Sequence, residues 1–373
     1  MNVERDIVGF ALPFAAGAFI AAYAGHLLHP ENLSHITLSL TVTLGLTAVL
    51  LHPVHRKFAP AYIWLIIGCL GISLGMFTYF HGSVAAVSSM PWRVAAAEEF
   101  GEALRGAVDR IPFCDTQTNA LIKALITGAR EDLSLETTQA FRNSGASHIL
   151  ALSGLHLGII YGLVRYSLSA IGNSRTAIYT KAFITIAACG FYTLATGAGP
   201  SIVRAFLFIL LNETARATHR HHTTASVLFA ALIIQVVLSP ASVRSVGFQL
   251  SYAAMAGIAF IYPWLRDFWP SEEGDPTSLR SRMNVMRRVW EAAALSIACQ
   301  ITTGPLAYMY FRSLPGNFLL TNLLALPLTT ALIPAALVTT ALHSAGICPD
   351  AAIRVTEWLA QTLLRSLEII AAM

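Results

Sequence analysis

Ala146-Ser147-His148-Ile149-Leu150-Ala151-Leu152-Ser153-Gly154-Leu155-His156-Leu157-Gly158 opens a hydrophobic run that continues to about Ile171. Apolar runs of that length usually cross a bilayer, whose hydrocarbon core takes about 20 helical residues. This one carries two histidines and two serines in its first half. Imidazole and hydroxyl groups cost free energy in hydrocarbon unless they find partners or water. The segment is therefore expected to face a protein interior or an aqueous path.

The surrounding chain is of the same kind. Of its 373 residues 55% are apolar and only 12% charged, with a mean hydropathy of +0.61. Soluble domains carry about 25% charged residues. The composition implies an all-α, polytopic integral membrane helical bundle of about 10–11 spans, some broken or re-entrant. A net charge of +4 reflects the bias of cytoplasmic loops and says little about an anionic substrate. The five cysteines show no CxxC pair and read as core thiols, although a Cys114–Cys348 bridge stays open. Met1-Asn2-Val3-Glu4-Arg5-Asp6 leads into an apolar run without a cleavage pattern, which predicts a retained first helix.

Apolar runs predict spans near 7–28, 36–51, 61–80, 148–171, 177–196, 201–215, 223–239, 247–265, 289–311, 317–343 and 351–371. Pro327 and Pro334 predict kinks or two half-helices in 317–343. The breaker cluster Thr196-Gly197-Ala198-Gly199-Pro200 makes 201–215 a re-entrant candidate. Residues 81–146 are too polar for a span. They suit an amphipathic helix over 91–110 and short helices over 118–129 and 134–143, the last with Ser134 near its cap and Gly145 at its end. The domain reading is N-terminal spans (1–80), an extracytoplasmic amphipathic-helical segment (81–146) and a main membrane domain (147–373). With Arg5 inside, Arg56, Lys57, Arg175, Lys181, Arg216 and Arg220 also fall inside, against exterior exceptions at Arg244 and Arg312.

Several spans carry polar groups. Arg204 sits four residues into one, where a guanidinium costs roughly 2.5–3.5 kcal/mol unless it snorkels or is paired. Snorkelling and an aqueous path holding a phosphate both remain open. His148 and His156, eight apart or about two helical turns, share a face but lie too far apart to hold one metal together. Ser153 and His156, three apart, can touch. Without an evident acid partner they read as polar lining or helix–helix bonds before a nucleophile pair. The cluster His219-Arg220-His221-His222 reads as an interfacial loop before a metal site. Gln249, Ser251, Asn317, Thr321 and Asn322 open spans, and Gln300, Thr302 and Thr303 lie deep in another. Polar groups on several separate helices suggest a shared hydrated space.

These residues resemble the ComEC family of competence DNA-uptake proteins, in its membrane region. The matching stretches are Gly145–His156, Pro200–Ala205, Ser239-Pro240 with Val246–Ser251, Gly304–Phe311 and Asn322–Pro327, in the family's order. The resemblance implies a multi-pass channel of the plasma (inner) membrane that admits single-stranded DNA during natural transformation. It makes His148, Ser153, His156, Arg204, Gln249, Ser251 and Asn322 pore-lining or structural candidates, with no catalytic residue, metal or cofactor assigned. Longer members carry an oligonucleotide-binding-like β domain and a metallo-β-lactamase-like nuclease domain. No HxHxDH-type zinc motif occurs here, so no nuclease activity is expected. The implied partners are single-stranded DNA, the lipid bilayer, and separate DNA-receptor, nuclease or motor proteins. A phosphate loop of the GxxxxGKS type is absent, so an ATP-driven motor would be another polypeptide. A transporter of a small anionic metabolite or lipid is the alternative, since broken helices build midplane sites. A membrane enzyme using Ser153 and His156 is a third reading.

Overall fold

Long apolar runs with few charges must satisfy their backbone internally, and helices do so within one segment. The computed structural model describes residues 3–24, 30–51, 59–85, 95–172, 174–218, 223–268, 279–312 and 316–373. The fold is all-α, with no strand among the described residues. In chain order the helices are α1 (Val3–Ala24), α2 (Pro30–Leu51), α3 (Ala59–Ala85), α4 (Ala95–Asp109), α5 (Thr116–Thr127), α6 (Leu135–Asn143), α7 (Ser147–Leu150) and α8 (Gly154–Ser167). There follow α9 (Arg175–Ala195), α10 (Pro200–Ala217), α11 (Thr224–Leu238), α12 (Val246–Ala256), α13 (Tyr262–Arg266), α14 (Leu279–Phe311), α15 (Phe318–Ser344) and α16 (Asp350–Ala371).

Among the described residues, three stretches are long and apolar enough to cross a membrane: α9, Val246–Arg266 and α15. The second joins α12 to α13 through a π-helical turn, Gly257–Ile261. Shorter apolar helical segments occupy Ile7–Tyr23, His35–Thr47, Ile67–His81 and Thr224–Leu238. Three expectations change. Residues 317–343 form one helix, not two halves, because Pro327 and Pro334 each remove only one donor from a 27-residue ladder. Residues 201–215 lie in an unbroken 18-residue helix that opens at Pro200, where a missing N–H costs nothing. Residues 351–371 are helical but amphipathic: Arg354, Glu357, Arg365 and Glu368 interrupt the apolar pattern.

The chain divides into two compact units. Met1–Trp92 with Leu210–Tyr252 form the first. There α1 and α3 pack backbone to backbone. A β-carbon on Gly75 would fall 2.0 Å from the Phe14 carbonyl oxygen, and one on Gly17 2.0 Å from that of Ile72. Such contact is how small residues hold membrane helices together. Phe14, Ala18, Phe80, Phe229, Val236 and Phe248 complete this core.

Arg93–Ile209 with Ala253–Met373 form the second unit. Its centre is α5, almost wholly buried among α6, α7, α15 and α16 through Leu121, Leu125, Phe141, Ile149, Leu332 and Leu363. Asp115 caps α5 by accepting from Gln117 N at 3.0 Å. Glu357 of α16, 8% exposed, accepts from Cys114 N (2.8 Å) and Asp115 N (3.1 Å). Ser134 caps α6, accepting from Thr137 N at 3.0 Å, and Gly145 takes the left-handed conformation just past the helix end (φ 84°). The amphipathic α4 lies on the bundle, not free of it. Gly101 lets it approach Ala195 of α9, and Phe100 meets Phe191 edge to face. Cys114 and Cys348 are free thiols.

Lys123 is buried in α5, pairs with Asp109 at 2.7 Å and with Asp132, and so ties α4 and the 128–134 loop to the core. Burial pulls its pKa down, but bonds and charge attraction from both aspartates outweigh that, and the net shift is upward from 10.5. Above pH 10.5 the unfolded chain releases this proton before the folded one does. The contribution is therefore complete below that pH and lost as pH rises through the folded pKa. Lys123→Met is expected to cost about 1 kcal/mol at neutral pH, at the low end for charge-assisted bonds because both carboxylates are half exposed. Thermal melting in detergent should show the wild-type advantage shrink as pH is raised well above the ordinary lysine value; an equal gap at pH 8 and at strongly alkaline pH contradicts the assignment.

Candidate functional site

The hydrophobic run that opens at Ala146 is not one helix. α7 ends at Leu150, the chain passes extended through Ala151 to Ser153, and α8 begins at Gly154. His148 and His156 therefore lie on different helices, and the shared face expected of them does not exist. α8 has 14 residues, which rise about 21 Å against the roughly 30 Å of a hydrocarbon core.

Two local features make the break. Gly128 closes α5 in the left-handed conformation (φ 80°), and a β-carbon there would lie 2.6 Å from Leu152 Cδ1. The residue that admits Leu152 is thus one only glycine suits. Ser153 is the second feature. It is the N-cap of α8, and its Oγ accepts from Leu155 N at 3.3 Å. Three residues on, His156 reaches back and its Nδ1 accepts from Ser153 N at 3.2 Å. This is a capping box with imidazole in place of the usual carboxylate or amide.

The cap determines the histidine's chemistry. A backbone N–H can only donate, so Nδ1 is the unprotonated nitrogen and the proton resides on Nε2. His156 is 1% exposed, and Nε2 has no hydrogen-bond partner among the described residues. His148 is the opposite tautomer when neutral. Its Nδ1 lies 3.1 Å from the Gly145 carbonyl oxygen and must donate. Ser153 Oγ also lies 3.2 Å from His156 Nδ1, so the expected serine–histidine contact is present, with helix capping as its visible role.

Arg204, on α10, is 7% exposed. Its Nη2 lies 3.6 Å from where a β-carbon on Gly154 would stand. A buried cation thus sits against the positive end of α8. Asn322, on α15, is half-buried, and its Oδ1 has no partner among the described residues. Its neighbour Thr321 donates to the Ser144 carbonyl oxygen at 2.6 Å, tying that turn of α15 to the α6–α7 link. Within the second unit, then, Ser153, His156 and Arg204 gather at the start of α8, with His148 nearby.

Gln249 and Ser251 belong to the first unit. Gln249 Nε2 donates to Tyr23 Oη (2.9 Å) and to the Val243 carbonyl oxygen (3.0 Å), so it joins helices. Ser251 is half-buried on α12. Thr302 and Thr303 bond to carbonyls of their own helix. Beside α8, Gly154, Gly158 and Gly162 face Thr330 and Pro334 of α15 across an open groove of about 570 Å³. Carbon lines it almost throughout, so it is no aqueous path. The histidine cluster at 219–222 lies outside the described residues. Sequence reasoning missed Glu357 as a cap and Lys123 as an internal cation; Glu357 is one of several charges on the amphipathic α16, and nothing in its spacing singles it out.

Residues 125–373 match the Competence protein family. The chain belongs to that family. It is 24% identical over 234 residues to the uncharacterized protein YcaI of Escherichia coli (strain K12), covering 61% of this chain and 30% of that protein. It is 28% identical over 138 residues to ComE operon protein 3 of Bacillus subtilis (strain 168), covering 36% of this chain and 17% of that one. The matched stretches thus span less than a third of either relative. No solved structure matches the chain.

Ser153→Ala removes the Oγ acceptor but leaves Ser153 N on His156. It should cost about 0.5–2 kcal/mol by thermal melting and leave the protein folded in membranes. A variant as stable as wild type would show that the cap does not hold the break.

Proposed function

We propose that this protein is a multi-pass plasma-membrane conduit for single-stranded DNA during natural transformation. Membership of the Competence protein family over 125–373 carries the reading. Similarity to ComE operon protein 3 supports it. The start of α8 supports it physically, because a buried guanidinium and a buried imidazole N–H at a break in an apolar run suit a polyanion better than a lipid contact. In this reading Arg204, His156 and Ser153 are the polar wall of the path, with His148 and Asn322 near it, while Gln249 and Ser251 hold helices in register. Its partners in this reading are DNA-receptor, nuclease and motor proteins.

A small anionic metabolite or lipid phosphate is the second reading. The α7–α8 break favours it, since half-helix N-termini in transporters point at anionic groups.

Arg204→Ala separates Arg204's role from the fold. At normal protein levels, cytoplasmic entry of labelled DNA into competent cells should fall about tenfold or more, the equivalent of one lost charge-assisted hydrogen bond. Unchanged entry removes Arg204 from the path. Transport of a small anion by the purified protein in liposomes, with normal DNA entry in a deletion strain, overturns the conduit in favour of the second reading.

A further inference from the structure

His156 carries two obligations that its surroundings meet only in part. Its Nδ1 is committed to the backbone at Ser153. In an imidazole the two nitrogens sit on opposite edges, so Nε2–H points away from the backbone that Nδ1 caps. A buried N–H without an acceptor loses its hydration without replacement and is costly. Evolution could have removed that cost with glutamine or glutamate, the usual residues of a capping box. The ring supplies what neither gives while capping: a second, fixed donor.

The nearby cationic or titratable side chains are His148 and Arg130. Both belong to segments that meet at the break. Arg130 follows Gly128, which packs on Leu152, and His148 is on α7. Both are exposed. Of the nearby carboxylates, Asp132 is bound to Lys123, and Glu131 is exposed beside Arg130 in sequence. Arg130 is the fixed positive charge near the ring, since desolvation pulls the pKa of His148 down from 6.5 and leaves it uncharged at neutral pH. A buried donor and an exposed guanidinium are then the available hydrogen-bonding edges. An oxyanion satisfies both, whereas a neutral acceptor satisfies only the first.

We infer that His156 Nε2–H, with Arg130 of the adjoining 128–134 loop, seats one phosphate oxygen, and that its occupant is the backbone of a nucleic-acid strand entering at the α7–α8 break. The identity of the occupant rests on the conduit reading; the oxyanion seat does not. Donation from an uncharged imidazole suits a passing strand, because a contact without a full charge holds a phosphate weakly enough to release it.

Two replacements divide the ring's functions. In His156→Asn the Oδ1 can take the place of Nδ1 and keep the cap, while the far donor is lost. In His156→Gln the Nε2 amide keeps the far donor. The purified protein in nanodiscs of zwitterionic lipid is titrated with fluorescent oligothymidylate, with inorganic phosphate as competitor. Expected is a loss of affinity of about tenfold for His156→Asn and little loss for His156→Gln. Arg130→Gln, at an exposed position that does not threaten the fold, should reduce the salt dependence of binding by about 0.7 in log–log slope. Wild-type affinity in His156→Asn, or wild-type slope in Arg130→Gln, overturns the seat. Should oligothymidylate fail to bind while anionic-lipid nanodiscs or phosphate stabilise wild type but not His156→Asn against thermal melting, the seat stands and the conduit reading fails.

Discussion

A helix that begins inside an apolar run leaves amide donors with no water to take them. The second unit of this protein depends on how that requirement is met at Ser153. Two acceptors close it, the serine hydroxyl on Leu155 N and the imidazole Nδ1 on Ser153 N. Satisfying the backbone this way constrains the imidazole. It fixes the ring's orientation and its tautomer, and it sets a proton on the nitrogen that faces away. The candidate site is thus a by-product of capping, built from the group that makes the chain break tolerable inside the unit.

The same economy recurs around α5. A 12-residue helix buried on nearly every side needs its ends met by protein. Asp115 and Glu357 meet the N-terminal donors. At the other end Gly128 N–H bonds to the Ala124 carbonyl oxygen at 3.0 Å, and Tyr192 Oη donates to that of Ile126 at 2.6 Å. Polar side chains in this unit therefore serve as bolts between elements before they serve any ligand. Thr321 on Ser144, Asn317 on Ile370 and Thr339 on Thr356 follow that pattern. Against it, the unpartnered Nε2 of His156 stands out as a group with something left to do.

What was legible in the sequence followed from local rules. Apolar runs located the helices of both units, the hydroxyl of Ser134 marked the start of α6, and three-residue spacing announced the contact of Ser153 with His156. Hydropathy averages over a run, however, and an average does not show where a helix stops. Ala151 and Leu152 are as apolar as their helical neighbours, so the break between α7 and α8 was invisible until Gly128, 24 residues away, was seen to receive Leu152. Distance along the chain also hid Glu357, whose partners lie more than 240 residues away. Lys123, a cation of the polar 81–146 segment, is buried beside Asp109 and Asp132. Gln249, expected near a wet path, is satisfied by Tyr23 and Val243. Three of the candidate positions, Ser153, His156 and Arg204, do converge, because a capped helix start and the helix packed against it bring them to one place.

The protonation of His156 tests this account most directly. Nitrogen-15 solid-state NMR of histidine-labelled protein in bilayers, with the resonance assigned by comparison with His156→Asn, distinguishes the two ring nitrogens. The capping geometry predicts an unprotonated Nδ1 and a protonated Nε2 at neutral pH. A proton on Nδ1 would mean that the imidazole does not accept from Ser153, and both the cap and the donor built upon it would be refuted.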